Sequence, residues 1–103
     1  MNRIEKTILR NLVHNETYMR QVFPFIKDDY FGDASERAVY RCIRKFVEDY
    51  NECPTSEALE IALQKTNLKE ESYKEAVTLA RELVPEESRH EWLLNETEKW
   101  CKD

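Results

Sequence analysis

The chain has 103 residues, of which 41% are hydrophobic and 36% are charged. This composition is too apolar for a disordered segment and too charged for a membrane protein. No stretch reaches the roughly 18 consecutive apolar residues of a membrane-spanning helix, and the charged start of the chain is unlike a signal peptide. We therefore expect one soluble cytoplasmic domain covering residues 1–103, with its three scattered cysteines reduced.

The charge is distributed unevenly along the chain. Residues 1–50 hold nine Lys/Arg and eight Asp/Glu, whereas residues 51–103 hold seven and thirteen, so the two halves carry +1 and −6. An acidic half repels nucleic acid, because phosphate charge dominates nucleic-acid binding. The balance favours a basic protein partner and predicts no direct contact with nucleic acid.

The predicted fold class is all-α, a compact irregular bundle of about six helices. The chain has one glycine and three prolines, and no stretch alternates apolar and polar residues for long enough to indicate a sheet. The first helix is predicted over residues 3–13, where Ile4, Ile8 and Leu12 recur at four-residue spacing.

A short second helix is predicted to start at a capping residue, Asn15, and to be stopped or kinked by Pro24. Phe25 and Ile26 are expected to turn inward beyond the proline. Residues 28–33 then predict a turn, with a left-handed conformation at Gly32.

The third helix, over residues 35–50, is predicted to be the central one. Its apolar positions mark one face over four turns: Val39, Ile43, Phe46, Val47 and Tyr50. A fourth helix is predicted from a hydroxyl cap at Thr55 to Gln64, and a fifth over residues 70–84, ending before Pro85. The last helix is predicted to begin at 86–88 and, with no stop signal, to lead into a further hairpin or linker.

The sequence predicts no catalytic, cofactor-binding or metal-binding residues. A nucleotide-binding loop needs several glycines so that backbone amides can approach the phosphates, and one glycine cannot supply them. A zinc site needs closely spaced Cys or His pairs, which the sequence lacks. Cys42, beside Ile43, is interpreted as a small core residue.

Two basic sets are candidates for binding a partner or, as an open alternative, DNA. The first, which we name the basic stripe, consists of Arg37, Arg41, Arg44 and Lys45 on one side of the third helix. The second lies on the first helix and consists of Arg3, Lys6 and Arg10. The alternative is an ordinary solvated face, with Arg44 paired to Glu48 one turn further on.

The two tryptophans share a broad face of the last helix, because eight residues place them about 80° apart around it. Tryptophan is common both in cores and at interaction hot spots. For Trp92 both interpretations stay open, and it is retained as a candidate partner-binding residue. Trp100 is predicted to pack in the core.

The order of several motifs resembles the N-terminal domain of DnaB-type replicative helicases, and more closely that of the helicases of T-even-like bacteriophages. The motifs are Glu5-x-x-Ile8-Leu9-x-x-Leu12, Asp29-Tyr30-Phe31, Arg37-x-Val39-Tyr40-x-x-Ile43, Pro54, Leu59-x-x-x-Leu63, Trp92-Leu93 and Glu96-Thr97-Glu98-Lys99. They cover nearly the whole chain, and each alone is of a kind that helical bundles share.

The resemblance implies a non-catalytic helical head that helps to assemble a ring of six and docks the primase or the helicase loader. It implies a parent ATP-dependent DNA helicase, with ATP and Mg bound by a separate motor domain, in the cytoplasm of an infected host. Two other hypotheses remain open, a free-standing helical adaptor or regulatory protein and a small cysteine-dependent enzyme.

Overall fold

The computed structural model of the protein describes residues 3–102, with side chains from residue 4 onward. Within this range it contains six α-helices and no strand, which confirms the predicted all-α bundle. The helices are α1 (Arg3–His14), α2 (Glu16–Val22), α3 (Ala34–Tyr50), α4 (Ser56–Gln64), α5 (Glu70–Glu82) and α6 (His90–Lys102).

Side-chain caps start three of these helices. Asn15, Asp33 and Thr55 each accept a hydrogen bond from the backbone N–H three residues further on, at the beginning of α2, α3 and α4. Such a cap pairs one of the N–H groups that a helix leaves unbonded at its first turn. The predicted caps at Asn15 and Thr55 are confirmed.

The segment after α2 differs in part from the prediction. Pro24 lies in a 3₁₀ turn over Phe23–Phe25, so the proline does end the α-helix. Ile26 is buried as predicted, and its carbonyl accepts a 2.7 Å hydrogen bond from the Tyr40 hydroxyl. The prediction for Phe25 is wrong, because its side chain is 69% exposed. Phe25 is the last residue of the 3₁₀ turn and Ile26 is already extended, so the two neighbouring side chains do not share one direction.

The left-handed residue also lies elsewhere than predicted. Gly32 does not have a positive φ, because the preceding turn is a 3₁₀ turn over Asp28–Tyr30 followed by extended backbone at Phe31. Among the described residues, the left-handed conformation belongs to Asn51 (φ 55°, ψ 36°), which ends α3. Asparagine tolerates this conformation better than most residues and is a known helix terminator.

The core is built around α3, which packs against α1, α4 and α5. The buried side chains of α3 end at Val47. The predicted apolar face is therefore confirmed for Val39, Ile43 and Val47, whereas Tyr50 is exposed. Its ring lies against Phe46, with 4.7 Å between the ring centroids. The last turn of α3, residues 48–50, is therefore exposed to solvent.

A second layer is formed by α6, which packs against α1 and α2. Its fully buried Leu93 joins the common core. The hydroxyls of Tyr18 and Thr97 are 2.7 Å apart in the interior, and Thr97 Oγ1 also donates to the carbonyl of Leu93 at 2.7 Å. A hydroxyl has one hydrogen to donate, so Tyr18 must be the donor to Thr97.

The connection between α5 and α6 is longer than predicted, since α5 ends at Glu82 and α6 begins at His90. The Leu83 carbonyl lies 2.6 Å from His14 Nε2, which holds the start of the connection against α1. The Ser88 hydroxyl accepts a 3.5 Å hydrogen bond from the Asn11 amide. This hydroxyl faces α1, and the last helix begins two residues later than the predicted 86–88.

The described residues have a radius of gyration of 12.6 Å, close to the roughly 13 Å of a compact chain of this size. In residues 3–102 no helix combines the length and the apolar character required to cross a bilayer.

Candidate interaction surface

Beneath the first half of α3 lies a group of touching rings, which we name the aromatic layer: Phe23, Tyr30, Phe31, Tyr40 and Trp100. Trp100 packs edge-on against Tyr30, with 5.8 Å between centroids, and lies 4.8 Å from Phe31. Phe31 in turn lies 5.1 Å from Tyr40. Such pairs contribute about 0.5–1.5 kcal/mol each beyond their buried area. The predicted core position of Trp100 is confirmed.

Two members of the basic stripe, Arg41 and Arg44, meet at one carboxylate. Arg41 Nε donates to Asp28 Oδ2 at 2.8 Å, and Arg44 Nη1 lies 3.8 Å from the same oxygen. The Arg44 guanidinium is also 6.0 Å from the centre of the Tyr40 ring. The predicted partner of Arg44 was Glu48, but the ion pair seen in the described part of the chain is with Asp28, from the turn before α3.

Two arginines facing one carboxylate leave a net positive charge at this point. The hydrogen bond from Arg41 and the nearby positive charges lower the pKa of Asp28 below its usual value. Asp28 therefore stays ionised at physiological pH, and it offsets only part of the stripe's charge. Arg41 remains largely exposed, so it is accessible to an acidic partner.

The other two members of the basic stripe have different surroundings. Arg37 is half-buried, and its Nη1 donates a 2.9 Å hydrogen bond to the carbonyl of Phe31, so it supports the chain in front of α3. Lys45 is exposed and pairs with Asp49 one turn further along, at 3.0 Å. Exposed pairs of this kind contribute little to stability. The structure thus joins Arg41 and Arg44 at one place, whereas Arg37 has a structural contact.

Trp92 lies at the beginning of α6, with 49% of its side chain exposed. The structure therefore excludes it from the core. It is two turns, or about 12 Å along the helix axis, from Trp100 and the aromatic layer. Trp92 and the basic stripe are separate features of the surface, and binding of a partner to either stays a prediction.

The basic set on α1 holds the bundle together. Lys6 Nζ lies 3.1 Å from a carboxylate oxygen of Glu82, and Arg10 Nη1 lies 3.5 Å from one of Glu86. These pairs connect α1 with the end of α5 and the connection that follows. The side chain of Arg3 lies outside the described residues.

The sequence reasoning missed an acidic groove between α1, the start of α3 and α5. Its carboxyl groups come from Glu5, Asp33, Glu36, Glu75 and Glu82. Glu36 is 1% exposed, although it is a charged residue type. Burial, and then the neighbouring Glu5 by hydrogen bonding and like charge, raise the pKa of Glu36 to about 8. Its spacing from Val39 and Ile43 puts it on the apolar face, a pattern that could have identified it.

The three cysteines do not have the surroundings of activated thiols. Cys42, Cys53 and Cys101 are free thiols, and burial raises the pKa of each above the usual value. Reactive cysteines instead have a lowered pKa, since the thiolate is the nucleophile. Among residues 3–102 no three His, Cys, Asp or Glu side chains are placed to hold a metal ion.

Sequence comparison finds a relative for most of the chain. The chain is 30% identical, over 95 residues, to the DnaB-like replicative helicase of Enterobacteria phage T4. It is similar to a replicative helicase. The match covers 92% of this chain and 20% of the phage T4 protein, so the chain spans about a fifth of its relative's length. No protein-family model matches the chain. The resemblance to a phage helicase that the motifs indicated is thereby confirmed.

Proposed function

We propose that this chain is a non-catalytic head domain of a phage replicative DNA helicase, and that it contributes to ring assembly and docks the primase or the helicase loader. The observation that carries the proposal is the 30% identity to the DnaB-like helicase of phage T4 along 92% of the chain. The parent helicase would bind ATP and Mg in a separate motor domain.

The surface supports a docking role in two places. Arg41 and Arg44 form an exposed positive site that Asp28 neutralises only in part. Trp92 exposes an aromatic surface at the beginning of α6. Arginine and tryptophan are the residue types most enriched at binding hot spots, where they combine large contact area with directed hydrogen bonds.

A pulldown with purified primase and purified loader from the same genome tests the docking role. We expect this chain to retain at least one of them. The double variant R41E/R44E should weaken that binding while leaving the circular dichroism spectrum unchanged, because neither side chain is buried in the core. Arg37 is left unchanged, since its contact with Phe31 would confuse folding with binding.

Two further variants sharpen the test. K65E/K69E reverses the same amount of charge at exposed positions outside the basic stripe, so it should bind like the unchanged protein. Asp28→Asn removes the carboxylate that both arginines face, and it should strengthen binding to an acidic partner surface. Equal loss in both double variants would show a general charge effect and would remove the basic stripe as a docking surface.

Ring assembly needs the complete gene product. We expect its reading frame to contain a phosphate-binding loop downstream and the purified protein to form a ring of six. A stop codon directly after Asp103 would instead favour the free-standing adaptor. If the complete protein forms the expected ring of six but this chain binds neither the primase nor the loader, then assembly would remain as the proposed role of this domain.

A further inference from the structure

The acidic groove between α1, α3 and α5 has a buried carboxyl group that the bundle does not fully pair. Its volume is about 610 Å³, and five carboxyl groups and one lysine, Lys74, line it. Lys74 is exposed, and its ammonium group lies 3.3 Å from a carboxylate oxygen of Glu70. Glu70 does not line the groove, so the charge of Lys74 is partly neutralised from outside it. Glu82 is partly offset by Lys6. The groove retains an excess of negative charge.

Glu36 is the buried carboxyl group among those that line the groove. It is 1% exposed, it lines the groove, and no described group donates a hydrogen bond to its Oε2. A buried carboxyl oxygen without a hydrogen-bond partner costs more than the hydrogen bond itself contributes, so a donor is favoured here. Glu5 from α1 stands beside it, which provides two adjacent carboxyl groups.

We propose that this groove binds the guanidinium group of an arginine side chain presented by a partner protein. A guanidinium is planar, carries several N–H donors in a fixed arrangement and stays charged at all physiological pH values. It matches paired carboxylates through parallel hydrogen bonds, which a compact ammonium group does not. The groups that line the groove are not placed to hold a metal ion, as judged over residues 3–102.

Binding must displace a proton, which makes the site dependent on pH. The charged groups that line the groove with Glu36 are Glu5 from α1, Asp33 from the start of α3, and Lys74, Glu75 and Glu82 from α5. Of these, Glu5 and Asp33 raise the pKa of Glu36 through like charge. Because the pKa of Glu36 is raised to about 8, the empty groove holds Glu36 largely in its protonated form at neutral pH. The ionised fraction rises from about a tenth at about pH 7 to about nine-tenths at about pH 9, so affinity should rise about tenfold.

The probe is N-acetyl-arginine amide, titrated into the 103-residue chain and followed by ¹H–¹⁵N NMR. N-acetyl-citrulline amide is the matched neutral control, because it keeps the shape of arginine without its charge. We expect saturable shifts at the start of α3 and along α5 with the arginine probe, and none with citrulline. Since the ligand is a small molecule, the outcome does not depend on the helicase role.

Three variants complete the test. Glu36→Gln should abolish the rise in affinity with pH, and Glu48→Gln, an exposed change on the same helix, should leave it intact. Glu5→Gln removes the like charge beside Glu36 and should move the midpoint of the rise to lower pH. Equal shifts with citrulline, no saturation with arginine, or an unchanged pH dependence in Glu36→Gln would each overturn the proposal.

Discussion

The buried hydroxyl pair between α2 and α6 leads to a prediction in which the effect of one mutation changes sign. Tyr18 donates to Thr97, which donates in turn to the carbonyl of Leu93. Replacing Tyr18 by Phe removes one neutral hydrogen bond and leaves Thr97 with its own donation intact. We expect a loss of about 1 kcal/mol in the free energy of unfolding, or about 4–8 °C in Tm.

Thr97→Val should be the more harmful change. It keeps the side chain's shape but leaves the Tyr18 hydroxyl without its partner in a site that is fully buried. An unpaired buried donor costs about 1–3 kcal/mol. In this background Tyr18→Phe removes the unpaired hydroxyl, so the same substitution that destabilises the unchanged protein should now stabilise the variant.

Urea-induced unfolding, followed by far-UV circular dichroism, measures all four members of this double-mutant cycle. Tyr40→Phe is the matched control, because its hydroxyl donates to the Ile26 carbonyl and not to α6. Its cost should be equal with and without Thr97→Val. If Tyr18→Phe also costs the same in both backgrounds, the two hydroxyls are not coupled and the assignment of donor and acceptor is refuted.

Three other predictions concern the cap of α3, the buried carboxyl and the two tryptophans. Asn51→Val should lower stability by about 1–2 kcal/mol, since valine resists the left-handed conformation, whereas Asn51→Gly should cost less, and equal losses in urea unfolding would contradict this reasoning. Glu36 holds its proton in the folded state up to about pH 8 but loses it near 4.5 when unfolded, so its contribution to stability should fall between these values. The difference in unfolding free energy between the unchanged protein and Glu36→Gln, measured across that range, should therefore depend on pH, and a constant difference would disprove the assignment. Trp100→Ala should lower the free energy of unfolding by about 3 kcal/mol through loss of aromatic packing. Trp92→Ala should change it by no more than about 0.5 kcal/mol, because the side chain is half exposed. A lower Tm for Trp92→Ala than for Trp100→Ala would refute the placement of the two residues.

Many of the helices could be predicted from local sequence patterns, without knowing which residues they contact in the folded protein. Asn15 and Thr55 act as caps because a short polar side chain before a helical run can reach the third N–H. The apolar spacing of α1 and α3 identified their buried faces because residues three or four apart lie on the same side of a helix. Boundaries that depend on distant contacts were missed, as at Ser88, whose hydroxyl faces Asn11 of α1.

The candidate surface was harder to predict, because it depends on which charges meet. Helical spacing placed Arg41 and Arg44 together correctly, but their shared partner Asp28 comes from a turn more than ten residues away. The acidic groove brings Glu5, Glu36 and Glu75 together from three helices. The spacing of residues along the chain does not predict which side chains of different helices come together. The only local indication was the position of Glu36 on the apolar face of α3.

The packing of α6 against α1 and α2 has a consequence for how the protein forms on the ribosome. The first two helices leave the exit tunnel early, yet α6, which covers them, is synthesised after the other five described helices. Helices α3, α4 and α5 are neighbours both in sequence and in space, so they can assemble while synthesis continues. Until residues 90–102 emerge, Tyr18 lacks its Thr97 partner, so this layer of the bundle can close only after α6 has been synthesised.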